Sequence, residues 1–154
     1  MSMYTIRVVN DKNLDYIKLI PGGEYRRAIN LAQPGPICVM DSWSIHAMAS
    51  ADVAIKCWVS NFLHMPFDNK TENKDWITPE PNSDVGDLWV PCTSIADFTV
   101  SPGTNYFKQG EWKDIAQFLL FQISPSFPPS SKKLTDSQGI PVDEIAFSLA
   151  ITFR

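Results

Sequence analysis

The sequence predicts an all-β protein, a sandwich or a barrel of antiparallel strands, and three observations predict it. Short apolar runs, several of them alternating with a period of two, recur along the 154 residues and are separated by Gly/Pro turn signals. All 12 prolines fall outside the interiors of those runs, as the lost ladder donor requires. Two of the runs, 37–46 and 51–62, are joined by the small-residue link Ala47-Met48-Ala49-Ser50, short enough for an antiparallel connection.

Composition bounds the classes. A chain of 154 residues with 44% apolar content is close to the usual size of one domain and fills one core, so 1–154 is expected to be a single sandwich domain. The formal charge of −4 comes from 13 basic and 17 acidic residues, and the basic blocks are no longer than Arg26-Arg27 and Lys132-Lys133. A nucleic-acid partner needs a clustered basic face and is not expected. Nor is a polybasic membrane patch. No apolar run approaches the roughly 18 residues of a membrane span. The start, MSMYTIRVVNDKN, lacks a basic-then-apolar leader, so the expected location is the cytoplasm or a virion. Cys38, Cys57 and Cys92 are odd in number, lack metal-ligand spacing and read as buried thiols in a reducing compartment. A Cys38–Cys57 pairing across neighbouring strands stays open.

The elements follow in order. Residues 3–9 place Tyr4, Ile6 and Val8 on one face of a half-buried strand. A turn at 10–13 leads to a second strand over 14–20, stopped by Pro21-Gly22-Gly23. Residues 24–31 suit a strand or a short helix. Residues 37–46 are apolar on both faces, as in a central covered strand. In 51–62, Val53, Ile55, Cys57 and Val59 mark one buried face. Residues 66–87 form the longest polar segment, a candidate binding loop with Trp76 as its bulky anchor. Short strands are expected at 88–90 and 95–100, then a turn at Ser101-Pro102-Gly103. Residues 111–123, EWKDIAQFLLFQI, are open between a short helix, on the stripe Trp112, Ile115, Ala116 and Leu119, and a strand buried on both sides. The crowding of Phe and Ile before Pro125 favours strand for the second half. Residues 124–141 read as a Pro/Ser-rich extended loop. The last strand, 142–153, sets Ile145, Phe147, Leu149, Ile151 and Phe153 on one face.

The chemistry offered is sparse. His46 and His64 are the imidazoles, and their separation does not suit a metal cluster, so neither metal nor cofactor is expected. Ser44 or Cys57 with His46 and Asp41 would be the parts of a small hydrolase, yet residues so close along one strand do not easily converge. No catalytic residue is assigned. Asp143-Glu144, Asp84/Asp87 and Glu72/Asp75 read as solvated carboxylates rather than an acid/base pair. The five tryptophans stand out. Trp43 and Trp58 read as core or interface residues of their strands, whereas Trp76, Trp89, Tyr106 and Trp112 lie beside loops and form the candidate ligand-binding surface.

Two resemblances refine the fold. The stretch GPICVMDSWSIHAMASADVAIKCWVSNFLHMPF resembles the last two strands of jelly-roll capsid subunits from picorna-like viruses, which implies self-assembly and no enzyme. YFKQGEWKDIAQFLLFQI followed by IPVDEIAFSLAITF is similar to the closing strands of carbohydrate-binding β-sandwich modules, which implies sugar stacking on aromatics such as Trp76 or Trp89. Both imply an antiparallel β-sandwich of jelly-roll type. The expected function is a non-enzymatic structural or interaction protein, a virus or phage particle subunit or projecting domain that self-assembles or meets a protein partner. The alternatives are a lectin-like glycan binder using loop aromatics and a small hydrolase using His46.

Overall fold

The computed structural model of the chain describes residues 3–8, 17–19, 25–31, 41–62, 88–126, 134–135, 141–142 and 145–154. Period-two alternation decides the longest strands. In β12 (Ile145–Phe153) every odd residue is buried and every even one is half-buried, and in β5 (Val53–Ser60) Val53, Ile55, Cys57 and Val59 point inward. Such side chains cannot be left in water without losing about 1.5–3 kcal/mol each, so these faces must meet another layer.

Among the described residues, two five-stranded antiparallel sheets supply it. The first runs β1 (Tyr4–Arg7), β12, β4 (Ser42–Ala49), β8 (Tyr106–Glu111), with β2 (Ile17–Leu19) also on β12. The second runs β3 (Tyr25–Asn30), β9 (Phe118–Pro125), β5, β6 (Val90–Pro91), with β7 (Phe98–Val100) also on β5. A small separate ladder joins β10 (Leu134–Thr135) and β11 (Pro141–Val142). The pairing has the logic of a long hairpin folded on itself: β1 with β12, β3 with β9, β4 with β8, and β5 with β6 at its middle. Wrapped into two sheets, that order is a jelly roll. Among the described residues there is no helix: 25–30 is strand, and 112–117 is irregular, with Ile115 98% exposed instead of facing a core.

One expectation is corrected. The two runs of 37–62 do not form a hairpin, because β4 lies in the first sheet and β5 in the second, and the chain crosses between layers at 50–52. They are middle strands of the roll, not its last two. β4 also begins at Ser42 and is one-sided, with Trp43, Ile45 and Ala47 in the core and Ser42, Ser44, His46 and Met48 turned out. Ser50 closes this corner, its N–H bonding the Ala146 carbonyl at 3.0 Å while its Oγ accepts from the Ala146 N–H at 2.9 Å.

Local rules explain the remaining joints. Thr104 N–H reaches back to the Ser101 carbonyl at 3.4 Å around Pro102 and Gly103, whose φ of 74° is the left-handed value that the third position of a type II turn needs. Gly110 faces Trp43 across β8 and β4, and a Cβ there would lie 3.0 Å from the indole. The indole therefore lies flat over β8 and donates Nε1–H to the Glu111 carbonyl at 3.1 Å. Pro91, Pro125 and Pro141 fall at strand ends, where the missing N–H costs no internal ladder bond.

The second sheet is covered on both faces at the start of β9, while Ala54 and Lys56 of β5 stay exposed on its outer face. Leu119, Phe121 and Ile123 of β9 enter the inter-sheet core, while Phe118 and Leu120 join Trp89 in a second apolar cluster with Ala28 and Trp58 packed against it. This is the two-sided strand expected from FLLFQI.

Candidate functional site

Of the four aromatic candidates, the three among the described residues, Trp89, Tyr106 and Trp112, are buried or half-buried and form no exposed patch. Trp89 is 4% exposed and belongs to the cluster with Phe118 and Leu120. Tyr106 is half-buried and stacked on Phe98, centroids 4.7 Å apart at 12°. Burial, then the nearby Cys57 thiol, raises its pKa. Trp112 is half-buried and meets Phe153 edge-on at 5.4 Å. Trp76, His64 and Cys38 lie outside the described residues, as does the whole of the expected binding loop at 66–87.

What the fold does present is the outer face of the first sheet. The same alternation that buries the odd residues of β12 turns out Ala146, Ser148, Ala150 and Thr152, and β4 adds Ser42 and Ser44. These side chains are short, so the middle of the face is a low floor. Longer ones rise beside it: Arg7 from β1, His46 and Met48 from β4, and Phe107, Gln109 and Glu111 from β8. Thr5 and Thr152 share a hydroxyl hydrogen bond of 2.9 Å across the β1–β12 pair. A shallow depression of about 240 Å³ is lined by Arg7, His46, Met48, Ser148 and Ala150, among others. A second, of about 400 Å³, is lined by Met3, Ser44, Gln109, Glu111 and Arg154, among others.

His46 sits mid-strand on this face, not at a strand end. Its Nε2 is 3.2 Å from the Asn105 side-chain oxygen, and its ring meets Phe107 edge-on at 6.1 Å. Cys57 points into the core from the opposite sheet, so it cannot serve His46 as a nucleophile. Ser44 is two residues along the same strand, on the same face. The partner of this imidazole is the Asn105 amide, and the arrangement suits hydrogen bonding to a ligand or a protein surface better than proton transfer. Among the described residues, no three of His, Cys, Asp and Glu come together as a metal-holding group.

Among the described residues, the densest polar cluster lies just after β6. Asp114 accepts from the Thr93 N–H at 3.1 Å, the Thr93 hydroxyl at 3.0 Å, the Ser94 N–H at 2.8 Å, the Ser94 hydroxyl and the Cys92 thiol at 3.3 Å. Ser94 Oγ in turn accepts the N–H groups of Lys113 and Asp114 at 2.7 and 3.1 Å. Partial burial pushes the Asp114 carboxyl up, but the bonds from Ser94, Thr93 and Cys92 outweigh it and hold the group below its ordinary value. These bonds tie the turn after β6 to the segment after β8. Its role is to fix two irregular segments that no ladder holds.

Cys57 and Cys92 are both buried and free. Cys92 N–H bonds the Cys57 carbonyl at 2.9 Å, continuing the β5–β6 register. Burial, chiefly, raises both thiols, Cys92 to about 11. They are poor nucleophiles in this setting.

Sequence reasoning passed over Phe107, Met48 and Arg7. Met48 was findable, since it shares the outward parity of Ser44 and His46. Phe107 was not, because YFKQGE carries no alternating apolar pattern.

No family model matches the chain, and no curated protein matches it. Among solved structures, the crystal structure of tripeptidyl peptidase 2 (TPP II) aligns with 97% of this chain at a TM-score of 0.49 and 8% identity. The chain spans 10% of that protein's length, and peptidase activity is a property of that protein.

Proposed function

We propose that the chain is a non-enzymatic structural and interaction subunit that assembles with copies of itself, of the kind that builds or projects from a virus or phage particle. The observation that carries this reading is the edge of the first sheet at β8, which is open among the described residues. β8 ends the strand order, and Phe107, Lys108, Gln109 and Glu111 are all exposed, so a row of backbone donors and acceptors faces outward as a template for another strand. Exposed Phe107 and Met48 stand on the adjoining outer face and add apolar area to any contact made there. The jelly-roll strand order supports the reading at the level of fold class, with 37–62 supplying middle strands and not the closing pair. The test is light scattering across a concentration series, with co-sedimentation against particles from the source. Self-association or particle binding supports the reading. A strict monomer at high concentration that binds no particle overturns it.

A second reading, a glycan binder, is favoured by the depression beside His46. Hydroxyl, imidazole and guanidinium groups converge there next to one exposed aromatic ring, Phe107. A glycan array giving signal that is lost in both His46→Ala and Phe107→Ala supports it. A blank array removes it.

A further inference from the structure

We infer that β8 pairs with β8 of a second copy, antiparallel and symmetric about Gln109, so that two first sheets join into one. The inference rests on the assembly reading above and specifies its contact.

Ladder parity decides which groups are on offer. Ser42 and Arg154 exchange both backbone hydrogen bonds at 3.0 Å, so the even residues of β4 bond to β12 and the odd ones to β8. Trp43 lies opposite Gly110, Ile45 opposite Lys108, and Ala47 opposite Tyr106. The backbone groups of Tyr106, Lys108 and Gly110 are therefore spent on β4. Those of Phe107, Gln109 and Glu111 point to the open edge.

Symmetry decides the register. A two-fold axis normal to the sheet keeps every residue on its own face, so it must lie midway between one residue and that residue's own copy. Centred on Lys108, it opposes two ammonium groups. Centred on Glu111, it opposes two carboxylates. Centred on Gln109, it sets Gln109 against its own copy, Phe107 against Glu111, and Lys108 against Gly110, which has no side chain to meet it. Like charges directly opposite are destabilising, and only the last register avoids them while placing Phe107, Gln109 and Glu111 all in hydrogen-bonded pairs. The Glu111 carbonyl keeps its bond from Trp43 Nε1 and uses its second lone pair. An inward-pointing lysine on an edge strand ordinarily blocks edge pairing, and in this register Lys108 meets no opposing side chain at Gly110 but the Trp43 indole that lies over it, a ring face that suits an ammonium group. The β6 edge of the second sheet carries Pro91, which has no N–H to give.

The full chain is followed by sedimentation and by amide exchange from micromolar to near-millimolar concentration. The expected result is a monomer–dimer equilibrium in which the amides of Phe107, Gln109 and Glu111 gain protection with concentration. Those of Lys108 and Gly110 stay protected throughout. Gln109→Pro removes a donor that β4 does not use, so it should leave the monomer's melting temperature nearly unchanged and weaken dimerisation roughly tenfold or more. Gln109→Glu and Gln109→Lys keep the backbone intact. Each alone should be monomeric, and a mixture of the two should dimerise, since each meets its opposite only across the axis. A dimer untouched by Gln109→Pro, or Glu and Lys variants that fail to complement, overturns this contact while leaving self-assembly standing. A strict monomer overturns both. Protection of the odd amides by a foreign protein but never by a second copy overturns the choice of partner.

Discussion

Asp114→Asn should destabilise the protein by about 1–2 kcal/mol at neutral pH. The carboxylate accepts from Thr93, Ser94 and Cys92 through both of its oxygens. An amide that keeps its oxygen towards Thr93 must turn its NH₂ towards the Ser94 N–H, which then loses its 2.8 Å acceptor. Ser94 Oγ already accepts from the Lys113 and Asp114 N–H groups, so its two lone pairs are taken; its O–H turns to water, and the Ser94 N–H is the one backbone donor lost. Hydrogen bonds to a charged acceptor contribute about 1.5–3 kcal/mol, discounted here because Thr93 is exposed and water can replace part of the loss. For a chain of this length that is a fall in melting temperature of about 2–8 °C. The pH dependence carries a sign. The folded carboxyl lies below its ordinary value, so the unfolded chain takes up the proton first. The contribution is fully present above the unfolded value, near about 3.9, and disappears as pH falls through the folded one. Urea melts of wild type and Asp114→Asn from pH 7 to pH 2 should therefore converge in acid. Equal stability at pH 7, or a constant gap down to pH 2, would refute the account of this cluster.

Gly110→Ala places a methyl 3.0 Å from the Trp43 ring, and overpacking of that kind costs about 1–3 kcal/mol; urea denaturation read by tryptophan fluorescence measures it, and an unchanged midpoint would contradict the packing. Trp89→Ala should cost about 3–5 kcal/mol through the cluster of Phe118 and Leu120, and a Trp89→Ala protein of full stability that had lost a ligand would instead make Trp89 a binding residue. In a Cys38→Ser background, Cys57 and Cys92 should resist a thiol reagent at pH 8 until urea unfolds the chain, because burial holds both thiols protonated; rapid labelling of the native protein would show them to be accessible.

The fold was largely legible and the surface was not. Strong alternation in β12 and β5 named their buried faces from sequence alone, because a period of two has one meaning when the apolar side chains are large. The proline and glycine turns were equally local, and Pro102-Gly103 does what its backbone permits. The crowding of FLLFQI revealed a strand covered on both faces. β8 was missed. As an edge strand whose side chains remain largely in water, YFKQGE had no reason to carry an apolar pattern, and its membership of the sheet rests on backbone bonds to β4. The apparent hairpin at 37–62 failed for a related reason: a short link is compatible with pairing or with crossing, and local chemistry does not distinguish them.

The aromatic site shows the same division. Composition revealed an excess of tryptophan, but whether a ring stacks on a ligand or fills a core depends on what lies over it. For Trp89 that is Phe118 and Leu120, some thirty positions along the chain; for Trp112 it is Phe153. By itself, the sequence determined strand faces, turns and the all-β class, since these follow from side chains within a few residues of one another. Only the tertiary structure decided which strands are neighbours, which edge stays open and which aromatics are covered. Those depend on pairings such as β1 with β12, made between residues at opposite ends of the chain, where no local pattern reaches.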